Sequence, residues 1–189
     1  MPRKLHIGGE IRSPEWEVLN ALPYDHVDHV CDARDLSIFQ NNTFTELYAS
    51  HILEHFEYLN DELFNVLKEW YRVLIPSGKL YISVPDLDVL AQLFIQKDQL
   101  TFEERFYIMR IILGGHTNQY DFHRTGLSQD ILEFYLTHAG YINLRKVDSF
   151  GFFNDASDIM FKDKLISLNM IAEKPKLGSE NPISFNNVS

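Results

Sequence analysis

The segment 67–87, LKEWYRVLIPSGKLYISVPDL, constrains the fold more than any other part of the chain. Leu63, Val66, Leu67, Trp70, Tyr71 and Leu74 recur at steps of three and four and so line one face of a helix, which Pro76 and Gly78 bring to an end. Leu80, Ile82 and Val84 then alternate with Tyr81 and Ser83, the period of a strand, closed by Pro85. Asp86 opens a second helical stretch through Leu87, Val89, Leu90, Leu93 and Phe94 and is suited to cap it. Helix, strand and helix joined by short turns predict an α/β fold, a parallel sheet whose crossovers are helices.

The flanking segments extend this pattern. Residues 4–7 are a short apolar run ending in Gly8 and Gly9, which predicts a first strand entering a tight turn. Weaker extended pieces are predicted at 16–19 and 26–31, while 44–52 fits strand or helix by pattern alone. A polar connection, GGHTNQYDFHRTG at 114–126, precedes a helix with Ser128 as N-cap, an apolar face of Leu132, Tyr135, Leu136 and Ala139, and Gly140 as its stop. Strands are predicted at 141–147 and 165–171, joined by a loop in which GFFNDAS, 151–157, is expected to expose two adjacent phenylalanines as a possible dimer surface. A chain of 189 residues supports one substantial core, so a single domain is expected over 1–175, followed by a loosely held tail over 176–189.

Composition excludes several classes of function. With 45% hydrophobic and 23% charged residues the chain is globular rather than disordered. A formal net charge of −10 without a basic run argues against nucleic acid. Cys31 is the only cysteine, which rules out an internal disulfide or a thiolate metal cluster. Neither a membrane-length apolar stretch nor a secretory leader is evident, so the expectation is a cytoplasmic protein, monomer or homodimer, with no membrane partner.

Taken in order, KLHIGG, DARDL at 32–36, LYASHILEHF at 47–56, the 67–87 block and FHRTGLSQDILEFYLTHAGYINLRKV at 122–147 resemble the small class I S-adenosylmethionine-dependent methyltransferases, in particular the predicted or type 11 branch. The resemblance spans residues 4 to about 172 and implies a Rossmann-like sheet of seven strands, mostly parallel, with helices on both faces. It also resolves the ambiguous fourth element as a strand at about 46–49. Ligands of such sheets bind beyond the carboxyl ends of the strands, at the point where strand order switches.

The resemblance further implies S-adenosyl-L-methionine as cofactor, a transferase activity, and a set of cofactor contacts. Gly8 and Gly9 would let the main chain approach the methionine moiety; Asn20 stands where relatives carry a ribose-binding carboxylate; Asp32 would accept from the adenine amine, with Ala33 and Arg34 against the ring; Ser50 would end the fourth strand beside the reactive methyl. Glu10 departs from the usual glycine and puts a negative charge near the expected methionine carboxylate, unless it faces solvent or pairs with Arg12. Methyl transfer to a small-molecule or sugar-like acceptor is the reading these residues favour; a noncatalytic binding protein with an altered site at Glu10 and Asn20 is the alternative. A nicotinamide-dependent oxidoreductase shares the early glycine turn but lacks a third glycine and a carboxylate after the second strand.

Histidines supply the candidates for chemistry. His51 and His123 are expected as catalytic or acceptor-contacting groups, because imidazole titrates near neutrality; a histidine bonded to the main chain to shape the pocket is the structural counterpart for His51. His116, Asp121 and Arg124 cluster in the polar connection and are expected to contact substrate, Arg124 through its forked guanidinium. His51, Glu54 and His55 spell HxxEH, a spacing known from inverted zinc proteases, but no third ligand stands out downstream and no metal is expected.

Overall fold

The structure is a computed structural model that describes residues 2–178. The predicted tail therefore lies, from residue 179 onward, outside the described residues. Strands β1 (Lys4–Ile7), β2 (Glu17–Asn20), β3 (His29–Val30), β4 (Phe44–Ser50) and β5 (Leu74–Pro85) come first, with helix α1 (Glu62–Val73) between the last two. Helices α2 (Leu87–Phe94), α3 (Phe102–Leu113) and α4 (Gln129–Ala139) lead to β6 (Ile142–Val147), a small hairpin of β7 (Met160–Phe161) and β8 (Lys164–Leu165), and β9 (Ser167–Glu173).

Seven strands form one sheet in the order β3-β2-β1-β4-β5-β9-β6. The pairs from β3 to β5 are parallel, and β9 runs antiparallel to both β5 and β6. This is the seven-stranded, mostly parallel α/β architecture that the resemblance implies. The fourth element is a strand, longer than expected at seven residues. Its neighbours on both sides pair with it, which settles what its own pattern left open.

The core follows from the helical stripe. Leu63, Val66, Leu67, Trp70 and Val73 of α1 are buried against Leu5, Ile7, Leu47, Ala49, Leu80 and Ile82 of the sheet and against Leu132 and Leu136 of α4. Pro76 and Gly78 do not separate helix from strand as expected. Leu74 already pairs with Phe44, the register shifts before Glu46, and Ser77, at φ 64°, donates its N–H to the Lys174 carbonyl, so the IPSG stretch is an irregular strand start. Lys174 Nζ in turn reaches the carbonyls of Tyr71 and Leu74 at 2.8 and 2.7 Å, satisfying the end of α1 with a residue a hundred positions downstream.

A second apolar cluster joins α2 and α3 through Leu90, Leu93, Leu100 and Ile108. Asp86 caps α2 as predicted, accepting from Val89 N at 3.2 Å. The loop 150–158 departs from expectation. Phe153 is buried, not exposed, in a cluster with Trp16, Tyr48 and Tyr81, while Phe152 is exposed as expected, with its ring against Trp16 and Tyr81. The sheet face carrying these rings has this loop as its cover, and Tyr48 Oη fastens it by donating to Asp155 at 2.8 Å.

Candidate functional site

A crevice of about 1030 Å³ lies at the carboxyl ends of β1, β2 and β4, within the size range of small-molecule sites. The switch of strand order across β1 opens it: β1 leads outward to β2 and β3 on one side, while β4 lies on the other. Among its lining are Gly8, Glu10, Asn20, Asp32, Ala33, Arg34, Ser50, His51, Asp121 and Arg124. The structure thus brings most of the sequence-derived candidates together. Gly9, His116 and His123 are outside that lining.

The glycine turn is tied down tightly. Gly8 has φ +72°, and a Cβ there would stand 2.0 Å from Ile52 Cδ1. Both glycine amides donate to the Leu19 carbonyl, at 2.7 and 3.2 Å. A Cβ on Gly9 would meet the His6 ring at 2.8 Å, so this second glycine serves close packing of the protein on itself. The buried His6 imidazole is held down to a pKa of about 4 by desolvation, against the pull of Asp155.

Asn20 has a specific local task. Its Nδ2 donates to the Gly9 carbonyl at 3.2 Å and its Oδ1 accepts from Leu22 N at 3.0 Å, so the amide bridges the glycine turn and the segment after β2. A carboxylate has no hydrogen to give to the Gly9 carbonyl. Asn20→Asp is therefore expected to loosen the turn, costing about 1–2 kcal/mol of stability and weakening ligand binding in the crevice; chemical denaturation of both proteins is the check.

On the opposite wall Asp32 is held by Arg34, whose Nη2 approaches at 2.6 Å and whose Nη1 also reaches Glu62 at 3.1 Å. The hydrogen bonds from Arg34 keep the Asp32 carboxyl below its usual range. Ala33 is fixed from within the core, its carbonyl accepting from the buried Trp70 Nε1 at 2.9 Å. Glu10 is exposed at the crevice and, among the described residues, forms no ion pair with Arg12. Ser50 Oγ is buried without a hydrogen-bond partner.

The histidines lie deeper. Ser167 Oγ donates to the Ala156 carbonyl at 2.7 Å, so the 2.9 Å bond between that oxygen and His51 Nε2 puts the hydrogen on His51 Nε2. His51 Nδ1, left with its lone pair, faces Glu54 Oε1 at 3.6 Å. His51, at φ 53°, has its pKa pushed down to about 3, chiefly by burial. His123 Nε2 stands 3.8 Å from the same carboxyl oxygen, beside a cavity of about 10 Å³ that also touches Glu54. Burial lowers the His123 pKa to about 4 and raises that of Glu54 to about 8. His116 does not itself line the crevice but stacks on Phe122, which does, with ring centroids 4.2 Å apart. Asp121 accepts from Gly115 N, Thr117 N and Thr117 Oγ1 and so shapes the polar connection, while Arg124 pairs with Glu57 at 2.8 Å.

Two residues of the site escaped the sequence reading. Asp155, on the loop expected to be a dimer surface, borders the crevice, and its fixed position depends on Tyr48 across more than a hundred residues. Glu54, singled out only as part of the HxxEH spacing, is a fully buried carboxyl whose two side-chain oxygens have no hydrogen-bond partner in another residue among those described. Only the acidic residue inside HxxEH hinted at it.

Comparison with known proteins agrees with this geometry. The methyltransferase domain family matches residues 16–82. No curated protein matches the chain. Among solved structures, a SAM-dependent methyltransferase from Archaeoglobus fulgidus is 16% identical, with 92% of this chain and 86% of that one covered at a TM-score of 0.53. The Burkholderia thailandensis 1,6-didemethyltoxoflavin-N1-methyltransferase, solved with its substrate and S-adenosylhomocysteine, is 14% identical over 93% of this chain and 72% of that one, at 0.55. A possible exported protein from Bordetella parapertussis is 12% identical at 0.53, with 92% of this chain covered, but the chain spans only 63% of that protein's length. In strand order and in the solved structures it superposes on, the chain has the fold of the class I S-adenosylmethionine-dependent methyltransferases, and residues 16–82 match the methyltransferase domain family.

Proposed function

We propose that the chain binds S-adenosylmethionine in this crevice and transfers its methyl group to a small, polar, sugar-like acceptor. The single observation that carries the reading is the convergence of the Gly8 turn, Asn20, the Asp32–Arg34 segment and Ser50 on one crevice at the strand-order switch. The residues present fit the cofactor: the buried Ser50 Oγ is an unused polar group at the end of β4, and the lining has six carboxylates, Glu10, Asp32, Glu57, Glu62, Asp121 and Asp155, against two guanidiniums. Such an acidic lining suits a ligand with a net positive charge.

When bound, the sulfonium would supply an activated methyl carbon for the acceptor nucleophile to attack, with the thioether of S-adenosylhomocysteine as leaving group. The chain's own contribution is alignment and exclusion of water. Asp32 and Arg34, held by each other and by Trp70 through Ala33, present a fixed edge to one end of the ligand. His51 borders the other end as a positioning group, since one ring nitrogen is committed to Ser167 and the other faces Glu54. His123 supports Glu54 from behind. Thr117, Asn118, Gln119, Tyr120 and Asn154 form a rim of hydroxyl and amide groups, the chemistry that recognises a hydroxylated acceptor.

The test is release of S-adenosylhomocysteine from S-adenosylmethionine in the presence of free sugars, nucleotide sugars and small amines. Turnover with hydroxylated acceptors supports the proposal; turnover with none, from a protein that binds the cofactor, rejects methyl transfer to this class. Glu10 is exposed, so its charge is screened by solvent. Glu10→Gln is expected to change the dissociation constant for S-adenosylmethionine by less than about fivefold, measured by calorimetry; a hundredfold change would show that Glu10 contacts the ligand directly.

A further inference from the structure

The turn after β4 and the segment 122–125 are clamped together. Arg124 N and Thr125 N both donate to the Glu54 main-chain carbonyl, at 2.8 and 3.1 Å, and Thr125 Oγ1 donates to the Phe56 carbonyl at 2.7 Å. This clamp carries His123 to Glu54 and His55. One potential ligand atom from each of Glu54, His55 and His123 lies within 4.8 Å of the other two.

The pocket between them is rich in lone pairs and poor in hydrogens. His55 Nδ1 lies 3.1 Å from the Phe122 carbonyl, which fixes the hydrogen on that nitrogen and leaves Nε2 as the free lone pair. His51 Nδ1 is a bare lone pair by its bond to Ser167, and it too faces Glu54. The Glu54 side chain is 2% exposed, and no other residue among those described hydrogen-bonds to either carboxylate oxygen. A buried carboxylate with imidazole lone pairs turned toward it is costly unless a proton or a cation sits between them. Carbonyl groups that orient imidazole rings are the usual outer support of metal ligands.

We propose that Glu54, His55 and His123 bind one borderline divalent transition-metal cation, of which zinc is the test case, at the inner boundary of the crevice. Two imidazoles and one carboxylate form the donor set of three-ligand zinc sites and of non-haem iron sites, with a position left for water or a substrate group. Magnesium and calcium prefer shells of oxygen ligands, and one carboxylate does not provide one. Around a tetrahedral zinc with bonds of about 2.0–2.1 Å, ligand atoms stand about 3.3–3.4 Å apart. The 3.8 Å between His123 Nε2 and Glu54 Oε1 is close to that spacing. Because His55 borders the crevice while Glu54 and His123 border the small cavity, the cation would join the two.

Metal binding is read without any methyl donor, so its failure leaves the cofactor proposal standing. The tag-free full chain, stripped with a chelator, is titrated with zinc by calorimetry and with cobalt(II) by visible absorption. One equivalent of zinc bound at micromolar or lower Kd, with the intense cobalt bands of tetrahedral coordination, is expected. Glu54→Gln and His123→Gln should each weaken zinc at least tenfold while His116→Gln, outside the cluster, binds as the parent does; circular dichroism establishes that each variant is folded. Absence of stoichiometric zinc and of the cobalt bands in the parent overturns the proposal, as does unchanged zinc affinity in a folded Glu54→Gln or His123→Gln protein.

Discussion

Gly8→Ala is expected to lower the melting temperature by roughly 5–15 °C and to abolish cofactor binding at micromolar concentrations. Two costs combine. The backbone at φ +72° disfavours any side chain by about 1–2 kcal/mol, and the new Cβ, 2.0 Å from Ile52 Cδ1 and 2.5 Å from Cγ1, adds an overpacking cost of about 1–3 kcal/mol. Ile52 must move, and it borders the crevice next to His51. The double variant Gly8→Ala, Ile52→Ala, compared with Ile52→Ala alone, separates the two costs: with the clash removed, Gly8→Ala should cost only the backbone strain in that background. Differential scanning calorimetry of the single and double variants is the check, and an unchanged melting temperature for Gly8→Ala would contradict the turn geometry.

Trp70→Ala is the second large effect, an expected loss of about 3–5 kcal/mol. Trp70 is completely buried in the main cluster, between the sheet and α1, so truncation leaves a cavity that the surrounding leucines and valines cannot fill. It also strips the Ala33 carbonyl of its indole donor. Trp70→Phe separates these contributions, because it keeps most of the apolar volume but not the N–H. It should cost about 1–3 kcal/mol and weaken binding on the Asp32–Arg34 side by a larger factor than any change elsewhere in the core of similar cost. Urea denaturation gives the first quantity and calorimetric titration the second.

How far these features could be read from sequence depended on whether they were local. The 67–87 block carried its own signals, a helical stripe and a strict alternation, and both elements formed, but Pro76 and Gly78 do not part them, because the bulged strand start at Leu74 depends on pairing with Phe44 and on Lys174. Strands β1 to β3 are only two to four residues long, too short for periodicity to distinguish, and are held as strands by their neighbours. A residue's place in the crevice was legible where it rested on a turn, as at Gly8, or on the end of a strand, as at Ser50. It was illegible where contacts span the chain: Phe153 is buried because the sheet face beneath needs a cover, Asp155 is placed by Tyr48, and His123 meets Glu54 only through main-chain bonds at Arg124 and Thr125. Asn20 shows the opposite limit. Read as a carboxylate that had lost its charge, it proves to be a donor that the Gly9 carbonyl uses.

The most direct test of the account is calorimetric titration of the full chain with S-adenosylmethionine and S-adenosylhomocysteine, with Gly8→Ala as the control. The account predicts one-to-one binding of both at micromolar concentrations, tighter for the positively charged donor, and none in the variant. A parent protein that binds neither at millimolar concentration, while folded and with its crevice intact, would contradict it.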